Sequence, residues 1–244
     1  SADQLPHQLA AWQLFGHQAL FPIPDVDRTD YFLIIGGNPL ASNGSIMTVP
    51  DVKGRLKALQ KRGGRVVVID PRRTETAKMA DEHHFVRPGT DVYLLLAIAQ
   101  VLFEELLVAP GRLDDILDGK KDMARLVANW KPEKVADTVG LPADAIRKLA
   151  RDIAAAPRAA IYSRVGVTTS AHSTLSAWLV YVINILTGNL DREGGVMFTK
   201  PAFDIVALGA LSGDTGSFDR YRSRVHGYPE FGGEFPVTTL ADEM

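Results

Sequence analysis

The sequence predicts an α/β fold, a Rossmann-like three-layer arrangement with a parallel sheet between helices. Three observations lead there. Two apolar runs rich in β-branched and aromatic residues, YFLII at 31–35 and RVVVID at 65–70, have the length and composition of buried strands. Between them Val52, Leu56 and Leu59 recur at helical spacing from Asp51 to Lys61, before a stop at Gly63 and Gly64. Each run is cut off by a breaker, Gly36 and Gly37 in one case and Pro71 in the other. Strand, helix and strand in so short a span form a βαβ unit, whose strands are parallel and whose crossover is right-handed.

Residues 77–81 suffice for one helical turn, and HHFVR at 83–87 reads as a third strand closed by Pro88 and Gly89. From Asp91 to Val108 the chain reads as one long apolar helix, broken by Pro110 and Gly111. The stretch from Leu113 to Trp130 keeps rough helical register through Leu113, Ile116, Leu117, Met123, Leu126 and Val127. Pro142 opens another helix, to Ala156, as its first residue, with Ile146, Leu149 and Ile153 on one face. AAIYS at 159–163 is a further strand, expected in the sheet or on its border, and the loop RVGVTTSAHS leads into a helix from Thr174 to Thr187. After Phe198, glycines and prolines are scattered with little periodicity, which predicts an irregular tail.

The 244 residues allow one large domain or one and a half small ones. A formal charge of −2 gives no sign of a nucleic-acid partner, so an anionic ligand must be met by local donors. The absence of cysteine excludes an iron–sulfur cluster, a thiolate-bound metal and a disulfide framework within these residues. The longest apolar runs, 92–102 and 175–186, are too short for a membrane span and are interrupted by Gln100 and Asn184. No secretory leader is visible at Ser1, which favours the cytoplasm and leaves the periplasm open. A start at SADQLP without methionine, and an end at ADEM without a helix stop, lead us to expect a piece of a longer chain.

In open α/β sheets ligands bind beyond the carboxyl ends of the strands, so the informative segments are 36–45, 70–76, 88–91 and 164–174. The loop GGNPLASNGS lacks the GxGxxG spacing of a dinucleotide fingerprint. It reads either as a plain turn or as a diphosphate cradle built from backbone N–H groups with Ser42 and Ser45. Asp70 can accept from ribose hydroxyls, and Arg72 and Arg73 can meet phosphate; the alternative is a helix cap and two solvated arginines. Thr90 or Asp91 can cap the long helix, and a carboxylate at Asp91 can also accept two N–H bonds from the Watson–Crick edge of guanine, which adenine cannot offer. His172 is either a functional donor or a capping residue. His83 and His84 alternate across a strand, and none of the six histidines has a metal-ligand spacing. Neither a GxSxG elbow nor a Walker A loop is present.

Read in order, GGNPLAS (36–42), VVVIDPRRTETAKMAD (66–81), RPGTD (87–91) and ILTGNLDREGG (185–195) resemble the molybdopterin oxidoreductase family, the dimethyl sulfoxide reductase and formate dehydrogenase group. The similarity runs from about Phe15 to Gly195. It implies a Rossmann-like sheet of that group's central-domain type. Residues 1–156 would be the unit that binds molybdopterin guanine dinucleotide, and 157–244 a segment returning to the neighbouring domain. It places Gly36, Asn38, Pro39 and Ser42 on the dinucleotide's phosphates, Asp70, Pro71 and Arg72 near its ribose and guanosine, and Gly89 and Asp91 at guanine. Gly166, Thr168 and His172 fall where the family has a G-x-T-Q-H-like loop against the pterin; here the loop reads GVTTSAHS, without the glutamine.

The resemblance further implies bis-molybdopterin guanine dinucleotide with molybdenum or tungsten in the full-length enzyme, and two-electron redox chemistry on a small-molecule substrate such as formate or nitrate. It puts the metal's protein ligand, and any iron–sulfur cluster, upstream of Ser1. The expected partners are the remaining domains of the same polypeptide and an electron-transfer subunit, and the isolated piece is expected to be inactive and cofactor-free. The alternative is a nucleotide-binding regulatory module with no redox centre.

Overall fold

A computed structural model describes residues 3–244. The chain opens with helix α1 (Leu5–Phe15), whose end is set by Gly16 in the left-handed conformation. Strands β1 (Pro22–Pro24) and β2 (Tyr31–Ile35) precede helices α2 (Pro39–Ser42) and α3 (Val52–Lys61), then β3 (Arg65–Ile69), α4 (Glu75–Met79) and β4 (Glu82–His84). A helical block follows: α5 (Asp91–Glu104), α6 (Lys120–Val127), α7 (Pro132–Val139) and α8 (Ala143–Ala155). Beyond it come β5 (Ala159–Ser163), α9 (Val165–Thr168), α10 (Ser173–Leu186), β6 (Val196–Phe198) and α11 (Ile205–Ser212). Strands β7 (Phe218–Arg222) and β8 (Pro229–Phe231) precede a last turn, α12 (Leu240–Glu243).

Strands β4, β3, β2 and β5 form one sheet in that order, and every pairing in it is parallel. Leu33 of β2 lies opposite Val67 on one side and Ile161 on the other. A parallel sheet is covered on both faces, which is why β2 and β5 are apolar at almost every position and buried throughout. Side chains alternate across it. Tyr31, Leu33 and Ile35 join the larger core with Leu94, Leu95 and Ile98 of α5, Ile146 and Leu149 of α8, and Leu179 and Ile183 of α10. Phe32 and Ile34 join the other core with Val52, Leu56 and Leu59 of α3. The result is the three-layer α/β architecture that the βαβ pattern predicts.

The outer edge of β5 is closed by side chains instead of a fifth strand. Buried Asn184 accepts from the Ile161 N–H at 3.1 Å and donates to the Ile161 carbonyl at 2.9 Å, while Asn189 accepts from the Ala159 N–H at 3.0 Å. The carboxamide reproduces the donor and acceptor of a neighbouring backbone. Outside the sheet, β1 pairs antiparallel with β6, and β7 with β8.

Several expected boundaries shift. The third strand covers Glu82–His84, not 83–87, because its partner β3 ends at Ile69, which lies opposite His84. The long helix stops at Glu104 and does not reach Val108; Leu106 turns left-handed (φ 57) and the Leu107 N–H closes on the Leu102 carbonyl at 2.8 Å. The single helix expected over 113–130 is instead a 3-10 stretch, Gly111–Ile116, and α6, separated by Gly119 at φ 78. Pro142 precedes α8 with an extended ψ of 143° and is not its first residue. Residues 198–244 carry α11 and the β7–β8 ribbon where an irregular tail is expected. That ribbon closes around the buried Glu230 carboxylate, which accepts from Ser217, Gly233 and Arg220, so no apolar period marks it in sequence.

Candidate functional site

The chain leaves β2 for β3 through α3 on one face of the sheet, and reaches β5 on the other side of β2 only after the helical block on the opposite face. Loops after β2 and β5 therefore part at the carboxyl edge, which is where a crevice opens in a doubly wound sheet. Two glycines bring them together. The Gly166 N–H donates to the Gly36 carbonyl at 2.9 Å. A Cβ on Gly36, which has φ 59, would lie 2.8 Å from the Val167 nitrogen and 2.9 Å from the Gly166 Cα. Only glycine fits the backbone conformation and the gap.

The Asn38 carboxamide ties the loop after β2 to the loop after β3. Its Oδ1 accepts from Thr76 Oγ1 at 2.7 Å and the Thr76 N–H at 3.3 Å, and its Nδ2 donates to Glu75 at 2.8 Å. Thr76 Oγ1 in turn accepts from the Leu40 N–H at 3.2 Å. Asn38 thus spends its side chain on the protein. Pro39 is buried in the first turn of α2, and Ser42 is exposed, its hydroxyl donating to the Asn38 carbonyl at 3.3 Å. The side chain of Ser45 lies outside the described ones.

Asp70 stands directly after β3. Its Oδ1 accepts from the Arg72 N–H at 2.8 Å, and its carbonyl meets His83 Nε2 at 2.9 Å. Pro71, Arg72 and Arg73 are exposed, and the cap of α4 is Thr74, which accepts from the Ala77 N–H at 3.1 Å. Gly89 is exposed in a left-handed turn (φ 78). Neither residue expected to cap α5 does so through its side chain: the Thr90 hydroxyl donates back to the Arg87 carbonyl at 2.6 Å, and Asp91 is already the first helical residue. Asp91 is 4% exposed. Burial pushes its carboxyl up to about 6 against the pull of its own backbone N–H, and the Asp70 charge adds to the rise.

The contacts from Gly166 to Gly36 and from Asn38 to Thr76 join three loops along one edge of the sheet, and Asp91 at the start of α5 stands close enough to Asp70 to feel its charge. His172 stays apart from that line: it is exposed before α10, makes no side-chain cap bond, and its ring sits 6.3 Å from that of Tyr93. Thr168 is buried with its hydroxyl unpartnered. The structure adds Arg164 and His7, which the sequence reasoning passes over. Arg164 is 5% exposed, and its Nη2 donates to Asp3 at 2.8 Å. His7 meets the Tyr181 hydroxyl at 3.3 Å; burial first, and the Arg164 charge second, lower it to about 4. An arginine immediately after a buried strand is a signal that sequence could have supplied; His7 gives none. No group of three or more histidine, aspartate or glutamate residues among the described residues could hold a metal ion.

Residues 2–227 match the family model described as molybdopterin oxidoreductase. Formate dehydrogenase H of Escherichia coli is 32% identical over 170 residues, 70% of this chain and 23% of that protein. The thiosulfate reductase molybdopterin-containing subunit of Salmonella typhimurium is 31% identical over 179 residues, 73% of this chain and 23% of its own length. Among solved structures, acetylene hydratase from Pelobacter acetylenicus superposes with a TM-score of 0.64 at 25% identity, covering 76% of this chain and 24% of that one. The chain spans about a quarter of the length of the curated relatives it matches.

Proposed function

This chain belongs to the molybdopterin oxidoreductase family, and from that premise we propose that it is the part of a molybdenum or tungsten enzyme that holds the guanine dinucleotide of bis-molybdopterin guanine dinucleotide. The observation that supports the finer reading is Asp91. A carboxylate 4% exposed, raised by burial to about 6, is under-solvated and forms no ion pair among the described residues. Guanine offers N1–H and a 2-amino group side by side. Two charge-assisted bonds from such a pair favour the ionised form that burial disfavours.

The other candidates divide by what they have left to offer. Gly36 and Gly166 bring two backbones together with no side chain in the way. Pro39 sets the first turn of α2, and exposed Ser42 presents a hydroxyl to a phosphate; Asn38 holds that loop in place through Thr76 and Glu75. Asp70 faces the ribose and, with Asp91, defines an acidic corner, while exposed Pro71 and Arg72 border it and Arg72 supplies a guanidinium to the diphosphate. Gly89 lets the chain turn into α5. Bound there, the cofactor supplies two-electron transfer at its metal, and the protein supplies position and electrostatics.

Residues 1–156 are the dinucleotide-binding unit in this reading, and 157–244, which contribute β5 to the same sheet, lead back to a neighbouring domain. Further domains of the polypeptide and an electron-transfer subunit complete the enzyme, whose substrate is a small molecule. No helix among the described residues is long and apolar enough to cross a membrane. Acid hydrolysis of the full-length protein should release guanine nucleotide together with molybdenum or tungsten. Metal-free protein would leave the regulatory-module reading, and a nucleotide other than guanine would overturn the role of Asp91.

A further inference from the structure

We propose that α6 is a self-association surface, on which a second copy of this chain docks about a two-fold axis with the two α6 helices antiparallel. The proposal does not depend on the cofactor reading.

The case begins with an apolar period that the fold leaves half uncovered. Leu113, Ile116, Leu117, Met123, Leu126 and Val127 recur in rough helical register, yet of these only Met123 and Val127 are buried. Leu126 stands on α6 and is 69% exposed. Beside it lies an open, apolar groove of about 260 Å³, walled by Leu14 of α1, by Leu117, and by Trp178 and Val182 of α10. An apolar cavity of roughly 150 Å³ already admits a benzene-sized group, so this groove has room for a leucine side chain. On the other flank of α6, Phe103, Leu106 and Val108 line a second groove of about 340 Å³, and Leu106 is 90% exposed. A ridge with a groove beside it is its own complement under a two-fold rotation. The α6 ridge of each copy then fills the groove of the other, and each Leu126 enters the groove beside Trp178 of the opposite copy.

Charge selects a second copy as the occupant. Asp122 and Arg125 are exposed on the outer face of α6 and pair with each other within the helix. Antiparallel docking centred between Met123 and Ala124 sets Asp122 of each copy opposite Arg125 of the other, so the same two residues supply two ion pairs across the axis. An exposed pair within one helix contributes little, and exchanging its partners therefore costs little. Lys120 and Lys121 occupy the first turn of α6, where the helix dipole disfavours positive charge. In the antiparallel arrangement they face the carboxyl end of the other α6, where the dipole favours it.

The test is sedimentation velocity of the full-length protein over a concentration series through the micromolar range, where a reversible dimer is expected. Leu126→Glu, at an exposed position, should weaken the dimer about tenfold or more. Asp122→Arg and Arg125→Asp each set like charges face to face, and each should weaken it by about tenfold. The double variant restores opposite charges and should return to within about threefold of wild type. Thermal melting of each variant checks that the fold is kept, since none of the three side chains is in the core. A protein that stays monomeric throughout the series overturns the proposal; slow amide exchange of α6 in that monomer would assign the face to another domain of the same polypeptide. Wild-type dimer strength in Leu126→Glu also overturns it. So does a double variant no stronger than the single ones, because the antiparallel pairing would then be wrong.

Discussion

Asp91→Asn should change two measurable quantities in opposite directions. In cofactor-free protein the carboxyl is raised from 3.8 to about 6. Above its unfolded value a raised carboxyl costs stability. The penalty is absent well below 3.8, where both states are protonated, grows through the window from 3.8 to about 6, and is complete above it. Two units correspond to about 3 kcal/mol at neutral pH. Asparagine keeps the shape and carries no charge, so cofactor-free Asp91→Asn should be more stable at pH 7 by up to about 3 kcal/mol. For a chain of this length that is a rise in Tm of roughly 6–12 °C. At pH 4, close to the unfolded value, most of the gain should be gone. Bound guanine reverses the sign: the variant loses one acceptor and the charge of the other, about 2–3 kcal/mol of cofactor affinity. The assays are thermal melting of protein made in a host unable to synthesise the cofactor, at pH 4 and pH 7, and guanine nucleotide released after dilution of full-length enzyme. Unchanged stability at pH 7 together with a normal cofactor load would refute both the burial argument and the guanine assignment.

Gly36→Ala places a Cβ 2.8 Å from the Val167 nitrogen at φ 59, and should cost about 1–3 kcal/mol, seen as a lower urea midpoint; an unchanged midpoint would show that the two loops can separate freely. Asn184→Leu leaves the Ile161 N–H and carbonyl unpaired in a fully buried setting, with an expected loss of about 2–4 kcal/mol and faster amide exchange in β5; wild-type protection of Ile161 would be inconsistent with the carboxamide closing that edge. Thr76→Val removes the hydroxyl shared by Asn38 and Leu40, and should cost about 1–2 kcal/mol and lower the cofactor load of the full-length enzyme. Retained load would mean that the clamp does not shape the phosphate loop.

The sequence determined the parallel sheet and its helical layers, because a strand buried on both faces shows as a short unbroken apolar run and an amphipathic helix as a helical period, and both signals are local to the segment. It also determined which loops lie at the carboxyl edge, since that follows from strand direction alone. Residue types told where glycine was required, but not what it met: the contact of Gly36 with Gly166 joins positions 130 residues apart, and no local pattern encodes it. The same holds for the division of labour among polar side chains. Asn38 and Asp91 look equally ready for a ligand in sequence, yet Thr76 and Glu75 occupy the first and burial leaves the second under-solvated. Arg164, an ordinary loop residue in sequence, is a buried cation in the fold, with Gly37 of the loop after β2 against it. Helix ends such as that at Leu106, and the ribbon around Glu230, turned on backbone conformation and a single carboxylate, neither of which has a period. Periodicity is a property of the chain; desolvation and hydrogen-bond occupancy are properties of what surrounds each group, and those only the tertiary structure decided.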